Sequence, residues 1–241
     1  MGDVDKDTFL AVNIAVLTVS DTRTLDDDRS GDTLVERLEG AGHKLQARDI
    51  VKDEIGLIAG KLRQFIDDPE IDVVITTGGT GVTGRDVTPE AMAQVAEKDI
   101  PGFGEVFRMI SYQKIKTSTI QSRATAGVAG GTYLFALPGS PGACKDAWDE
   151  ILVHQLDIRT RPCIFVELML RLKERYGRPR RRFVHFAYAS PPSTSSSVSS
   201  NAWVWPGLRF ATVSASACTV DQRTSAKTSA NLGRLFKPTS Q

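Results

Sequence analysis

Between residues 13 and 159 the apolar positions keep two rhythms in alternation. NIAVLTVS (13–20) is an almost unbroken apolar run rich in β-branched residues, as expected of a strand covered on both faces. SGDTLVERLEGAG (30–42) then sets Leu34, Val35 and Leu38 at helical spacing, with Ser30 as the expected N-cap and glycine as the stop. The alternation repeats with a strand over 43–51, a helix over 55–66 whose Ile55, Ile58, Leu62 and Ile66 share one stripe, and a strand over 72–79. A helix is predicted over 88–98, with Thr88 as N-cap and Pro89 in its first turn. Another follows over 104–114, then a strand over 131–139 and a closing helix over 141–159. Strands alternating with helices predict a doubly wound α/β fold, a mostly parallel sheet with helices on both faces.

In such sheets ligands bind beyond the carboxyl ends of the strands. Four predicted strand ends carry polar or glycine-rich sequence: SDTRT, VKDE, TTGGTGVTGRD and LPGSPG. The third is the richest. Glycine permits positive φ and lets backbone N–H groups approach an anion, and a following helix N-terminus adds its dipole, so Thr77, Gly78, Gly79, Thr80 and Gly81 form a candidate phosphate cradle. GTGVTG (79–84) satisfies G-x-G-x-x-G, but a dinucleotide fold uses that motif to open the helix, and here RDVTP intervenes. NAD binding is therefore not expected, and no Gly-Lys-Ser/Thr marks a Walker A loop. Ser20 and Asp21 suit phosphate binding or the capping of a turn. Pro138, Gly139 and Ser140 offer a second backbone cradle or a rigid turn, while Ser122 and Arg123 suit an anionic ligand, with a surface carboxylate as the alternative partner of Arg123. Ser140 lacks the G-x-S-x-G setting of a serine hydrolase. His43, His154 and His185 have no ligating partners at useful spacing.

Charge divides the chain. From Arg178 onward nine basic residues face the single acid Asp221, a net of +8 in a chain whose total is +1. The same segment contains the Ser/Pro tract YASPPSTSSSVSSNA and no sustained periodicity, so residues 178–241 are expected to form a disordered tail beside a domain spanning 1–177. RPRRRF suits an anionic surface, but its neighbouring aromatics follow no module and nucleic-acid binding is not expected. Three widely spaced cysteines fit reduced thiols better than a disulfide frame or a zinc site. The acidic start and the lack of a long apolar run give the expectation of a cytoplasmic protein with no membrane partner.

TTGGTGVTGRDVTPEA, GFGEVFR, TSTIQSRATAGV and LPGSPGACKDAW together resemble the MoaB/MogA family of molybdenum cofactor biosynthesis proteins, which shares its fold with the gephyrin G domain. IRTRPC resembles the bacterial MoaB branch, and the similarity runs from about residue 10 to 170. It implies binding of molybdopterin, a pterin with a dithiolene and a terminal phosphate, and in active members its adenylylation from Mg-ATP with release of pyrophosphate. It also implies that Asp53 and Asp86 are the catalytic acids that hold Mg2+, and that the chain forms a homo-oligomer, a trimer or hexamer. The bland readings beside these are Asp86 as a turn acid preceding Thr88 and Asp53 as part of a solvated KDE stretch. An inactive paralogue that carries molybdopterin is the alternative function.

Overall fold

A computed structural model describes residues 8–175 of the chain. The expected tail at 178–241, with its basic run and Ser/Pro tract, lies outside the described residues. Six strands form one sheet: β1 (Asn13–Val19), β2 (Lys44–Val51), β3 (Val73–Thr77), β4 (Lys98–Asp99), β5 (Thr125–Ala129) and β6 (Thr132–Leu137). Their order across the sheet is β2-β1-β3-β6-β5-β4. The first four run parallel, so their carboxyl ends share one edge, while β5 runs antiparallel to them and β4, antiparallel to β5, returns to their direction. The chain steps from β1 outward to β2 and then returns to β3 on the other side of β1, which opens a crevice between the ends of β1 and β3.

The apolar runs became strands because both of their faces are covered. On one face Ile14, Val16, Val73, Ile75, Tyr133 and Phe135 pack with Leu34 and Leu38 of α1 (Arg29–Gly40) and with Phe103 and Phe107 of a later helix. On the other face Ala15, Leu17, Val74 and Leu134 meet Ile58, Leu62 and Ile66 of α2 (Ile55–Asp67) and Met92 of α3 (Thr88–Ala93). Period-2 alternation therefore decides which side chain enters which core. Leu17, Leu62 and Leu134 are fully buried, and truncating any one of them to alanine costs about 2–5 kcal/mol through lost transfer energy and the cavity left behind.

α4 (Pro101–Ile115) leads through a 3-10 turn (Lys116–Gln121) into β5, and α5 (Pro141–Ala147) continues through a π-helical turn (Trp148–Leu152) into α6 (Val153–Gln155). The predicted closing helix over 141–159 is thus wider in its middle and ends at Gln155. α7 (Phe165–Arg175) was not foreseen. Nor were β4 and β5, whose ladder depends on residues about 30 apart. The helix expected over 88–98 stops at Ala93 because Lys98 and Asp99 pair with Val128 and Gly127 instead.

Two predicted caps are corrected. Asp28, not Ser30, caps α1: its Oδ1 accepts from the Gly31 N–H at 3.0 Å. Thr88 does not cap α3, for Val87 occupies that position and the Thr88 hydroxyl turns back to donate to the Gly78 carbonyl at 2.8 Å. No helix among the described residues is long and apolar enough to cross a membrane. Cys144 and Cys163 are free thiols.

Candidate active site at the carboxyl edge of the sheet

The four loops singled out in the sequence meet at the shared carboxyl edge. Gly78 and Gly79 follow β3 with φ of 106° and 62°, in the left-handed region that only glycine occupies freely. Space demands glycine there as well: a Cβ on Gly78 would fall 2.2 Å from the Val19 carbonyl oxygen, and one on Gly79 would fall 2.9 Å from Asp53 Oδ1. The loop is pinned from several sides. The Gly78 N–H donates to the Leu137 carbonyl at 3.0 Å, the Gly79 carbonyl accepts the Thr88 N–H at 2.9 Å, and the Thr77 hydroxyl donates to the Pro138 carbonyl at 3.0 Å. Gly139 lies directly against Gly78, so the LPGSPG loop and the glycine loop are neighbours. Ser140 caps α5, its Oγ accepting from the Ala143 N–H at 3.2 Å.

Asp53 and Asp86 both face this loop. Asp53 sits against Gly79, and a Cβ on Gly81 would fall 2.7 Å from Asp86 Oδ2. Burial raises the Asp53 pKa above the ordinary carboxylate value, and the negative charges of Asp21 and Asp86 push in the same direction. Asp86 shifts the other way, because hydrogen bonds from Thr83 hold it ionised, its Oδ2 accepting from the Thr83 hydroxyl at 2.6 Å and the Thr83 N–H at 2.8 Å. Asp53 and Asp86 could supply the protein ligands of a Mg2+ ion, which takes one or two carboxylates and fills its remaining positions with phosphate oxygens and water. Among the described residues no cluster of three acids, histidines or cysteines forms a closed metal cage.

Asp21 lies at the end of β1. It accepts the Asp53 N–H at 3.3 Å and is gripped by the Arg85 guanidinium, with Nε at 2.9 Å from Oδ2 and Nη2 at 2.6 Å from Oδ1. The Arg85 bond is the main reason that its pKa falls below the ordinary value. Ser20 accepts from the N–H groups of Thr22 and Arg23 at 3.3 and 3.2 Å, the turn-capping alternative raised by the sequence. Ser122 Oγ accepts from the Ala124 N–H at 3.4 Å.

Arg123 is spent largely on the glycine loop. Its backbone N–H donates to the Thr80 carbonyl at 2.9 Å, its Nε to the Gly81 carbonyl at 2.5 Å and its Nη2 to the Asp86 carbonyl at 2.5 Å, while Nη1 pairs with Glu90. Three carbonyl acceptors thus brace the loop from Arg123, and Glu90 on α3 takes the fourth contact.

Sequence reasoning missed Arg23, Asp28, Arg48 and Arg85. Asp28 is completely buried and receives hydrogen bonds from Thr18 at 2.6 Å, Ser30 at 3.1 Å and Arg48 at 3.1 Å. Burial alone would raise its pKa, yet these donors together hold it below the ordinary value. Arg23, within 3.8 Å of the same carboxylate, donates to Ser30 Oγ at 2.5 Å and to the Gly139 carbonyl at 3.1 Å. The buried acid therefore anchors the arginine that ties the first loop to the LPGSPG loop. An acid directly preceding a helix was the available signal, in the run DDDRSG.

Comparison with known proteins places the chain in a family. A family model described as "Probable molybdopterin binding domain" matches residues 15–158. Molybdenum cofactor biosynthesis protein B of Escherichia coli (strain K12) is 47% identical over 157 residues, which cover 65% of this chain and 92% of that protein. The protein of the same name in Bacillus subtilis (strain 168) is 45% identical over 146 residues, covering 60% and 86%. A crystal structure of a molybdenum cofactor biosynthesis protein B superposes with a TM-score of 0.62 at 39% identity, covering 68% of this chain and 97% of its own. The tungsten cofactor synthesizing protein MoaB from Pyrococcus furiosus gives 0.54 at 36% identity, covering 59% and 91%.

Proposed function

The chain belongs to the molybdenum cofactor biosynthesis family through its molybdopterin-binding domain, and from that premise we propose that it binds molybdopterin and adenylylates the terminal phosphate from Mg-ATP, releasing pyrophosphate. One observation carries the proposal: Asp53 and Asp86, 33 positions apart in sequence, both press against the positive-φ glycine loop that ends β3. In this reading the glycine backbone receives the phosphate end of molybdopterin, and the Gly139 to Ser140 turn borders it from the other side. Asp53 and Asp86 would hold Mg2+, which when bound would offset the charge of the triphosphate.

A terminal phosphate oxygen of the substrate attacks the α-phosphorus of ATP, a new P–O bond forms, and the α–β anhydride bond breaks with pyrophosphate as leaving group. No protein nucleophile is needed, so the work of these residues is positioning and charge neutralisation. Asp86 is suited to a metal because its hydrogen bonds keep it ionised, and Arg123 holds the loop that carries it. Incubating the full-length protein with labelled ATP, Mg2+ and molybdopterin tests the reading, and the expected product is adenylylated molybdopterin with pyrophosphate.

The carrier alternative, in which molybdopterin is held without AMP transfer, draws on a specific feature: both Thr83 donors already occupy Asp86 Oδ2 as in an ordinary turn. Molybdopterin binding without any pyrophosphate release would favour it.

The proposal includes a homo-oligomer. Val106, Met109, Tyr112 and Ile115 on α4 and Ile120 after it are exposed, with Met109 at 62% and Ile120 at 76%, opposite the helix face that buries Phe103 and Phe107. Scattered apolar residues are ordinary on a surface, but five large ones along one helix and the turn after it form a face suited to a second copy of the chain.

A further inference from the structure

Asp21 and Arg85 form an ion pair across the mouth of the site, joining the loop after β1 to the glycine loop after β3. The pair is two-pronged, and both partners reach solvent, Arg85 at 60% and Asp21 at 38% of their side-chain surface. On one side Asp21 receives the backbone N–H of Asp53; on the other Arg85 is followed directly by Asp86. The charge of Asp53 also acts on the guanidinium. Arg85 is thus a cation set among four carboxylates, those of Asp21, Asp53, Glu54 and Asp86, that themselves repel a polyphosphate.

We propose that Arg85 is an exchange cation that alternates between the Asp21 carboxylate and a phosphate of the bound nucleotide. The inference rests on the nucleotide reading above and deepens it by assigning the residue that receives the triphosphate. Three features support it. An ion pair this exposed is held weakly, because water screens it and two side chains are ordered to form it. A triphosphate carries more charge than one carboxylate, and the planar guanidinium fork fits phosphate oxygens with the two-pronged geometry it already uses on Asp21. Arg85 sits on the loop of the proposed phosphate cradle, whereas Arg23, Arg48 and Arg123 are committed to buried or backbone partners. The change involves no covalent step.

Equilibrium binding of a fluorescent ATP analogue to the full-length protein in Mg2+ separates exchange from a purely structural latch. Under exchange the two partners act oppositely. Arg85→Ala weakens nucleotide binding by about tenfold, the worth of a charge-assisted contact, and Arg85→Lys recovers part of it. Asp21→Asn, which releases Arg85, tightens binding by about threefold, the worth of an exposed pair. That gain vanishes when Asp21→Asn is placed on Arg85→Ala, whereas simple removal of a repelling charge would keep it.

If Asp21→Asn and Arg85→Ala shift affinity in the same direction, the pair is only a latch and the exchange role is overturned. An Asp21→Asn gain that persists without Arg85 overturns it as well. Failure of the nucleotide reading looks different: the wild-type protein itself then binds no ATP analogue, and the exchange role falls with it.

Discussion

Arg48 on β2 reaches across the sheet edge to the buried carboxylate of Asp28, Nη2 lying 3.1 Å from Oδ2 and 3.2 Å from the Asp28 carbonyl oxygen. Arg48 also pairs with Asp32 one helical turn further on, at 2.8 Å. The first turn of α1 is therefore fixed to the sheet by charge as well as by its apolar face, and Arg23 extends the arrangement to Gly139.

Asp28→Asn should destabilise the protein by about 2–4 kcal/mol, because asparagine can still cap α1 but leaves Arg48 beside a buried neutral amide. Its folded pKa is depressed, so the stabilisation is present above the ordinary carboxylate pKa and is lost as pH falls through the folded value. Urea denaturation at pH 7 gives the measurement. A loss below about 0.5 kcal/mol would mean that the pair contributes no more than an exposed one.

Asp86→Asn and Gly79→Val should separate catalysis from binding. The first keeps the glycine backbone and much of the molybdopterin affinity, while AMP transfer falls by on the order of a hundredfold or more through loss of a metal-linked charge. The second forces valine into φ of 62° and sets its Cβ 2.5 Å from the Thr88 hydroxyl, so binding itself should fail. Wild-type transfer rates in Asp86→Asn would remove that residue from catalysis.

His43 should make the fold sensitive to mild acid although it has no part in the site. It is 5% exposed, packs edge-on against Trp148 at 5.9 Å, and accepts the Val12 N–H on Nδ1 at 3.3 Å, which requires the neutral ring. Burial pushes its pKa down to about 4, against a weaker opposing pull from Asp157. Above pH 6.5 both folded and unfolded states hold a neutral ring. Below it the unfolded state takes up the proton first, so stability falls as pH drops from 6.5 to about 4, by about 3 kcal/mol in all. Denaturation at pH 7 and pH 4.5 should show the loss, and His43→Gln should flatten it; a ring titrating near 6.5 by NMR would contradict the assignment.

Met109→Glu combined with Ile120→Glu should shift the protein to a monomer in light scattering at micromolar concentration while the thermal transition of the domain stays cooperative, since neither side chain enters the core. A wild type that is already monomeric at that concentration would leave the α4 face without the partner proposed for it.

Much of the fold was legible along the chain because its causes are local. A strand buried on both faces must be apolar throughout, a helix between two layers must be apolar on one stripe, and β1, α1, α2, β3 and β6 all fall where those patterns lie, while β2 at the sheet edge is only half-buried and mixes polar residues into its run. The glycine loop was legible for the same reason, as positive φ at Gly78 and Gly79 leaves its mark in residue type. The short antiparallel strands β4 and β5 were not, for two residues of β4 carry no period and acquire their form only from Val128 and Gly127. The division is sharpest among the polar groups. Sequence alone determined that acids, arginines and glycines gather at four strand ends; strand order then decided that Arg48 meets Asp28 from 20 positions away, that Arg123 braces Gly81 from 42 away, and that Arg85 closes on Asp21 from 64 away. Hydrogen-bond partners follow from distance in space, and parallel strands joined by helices bring together residues whose spacing along the chain holds no record of the meeting.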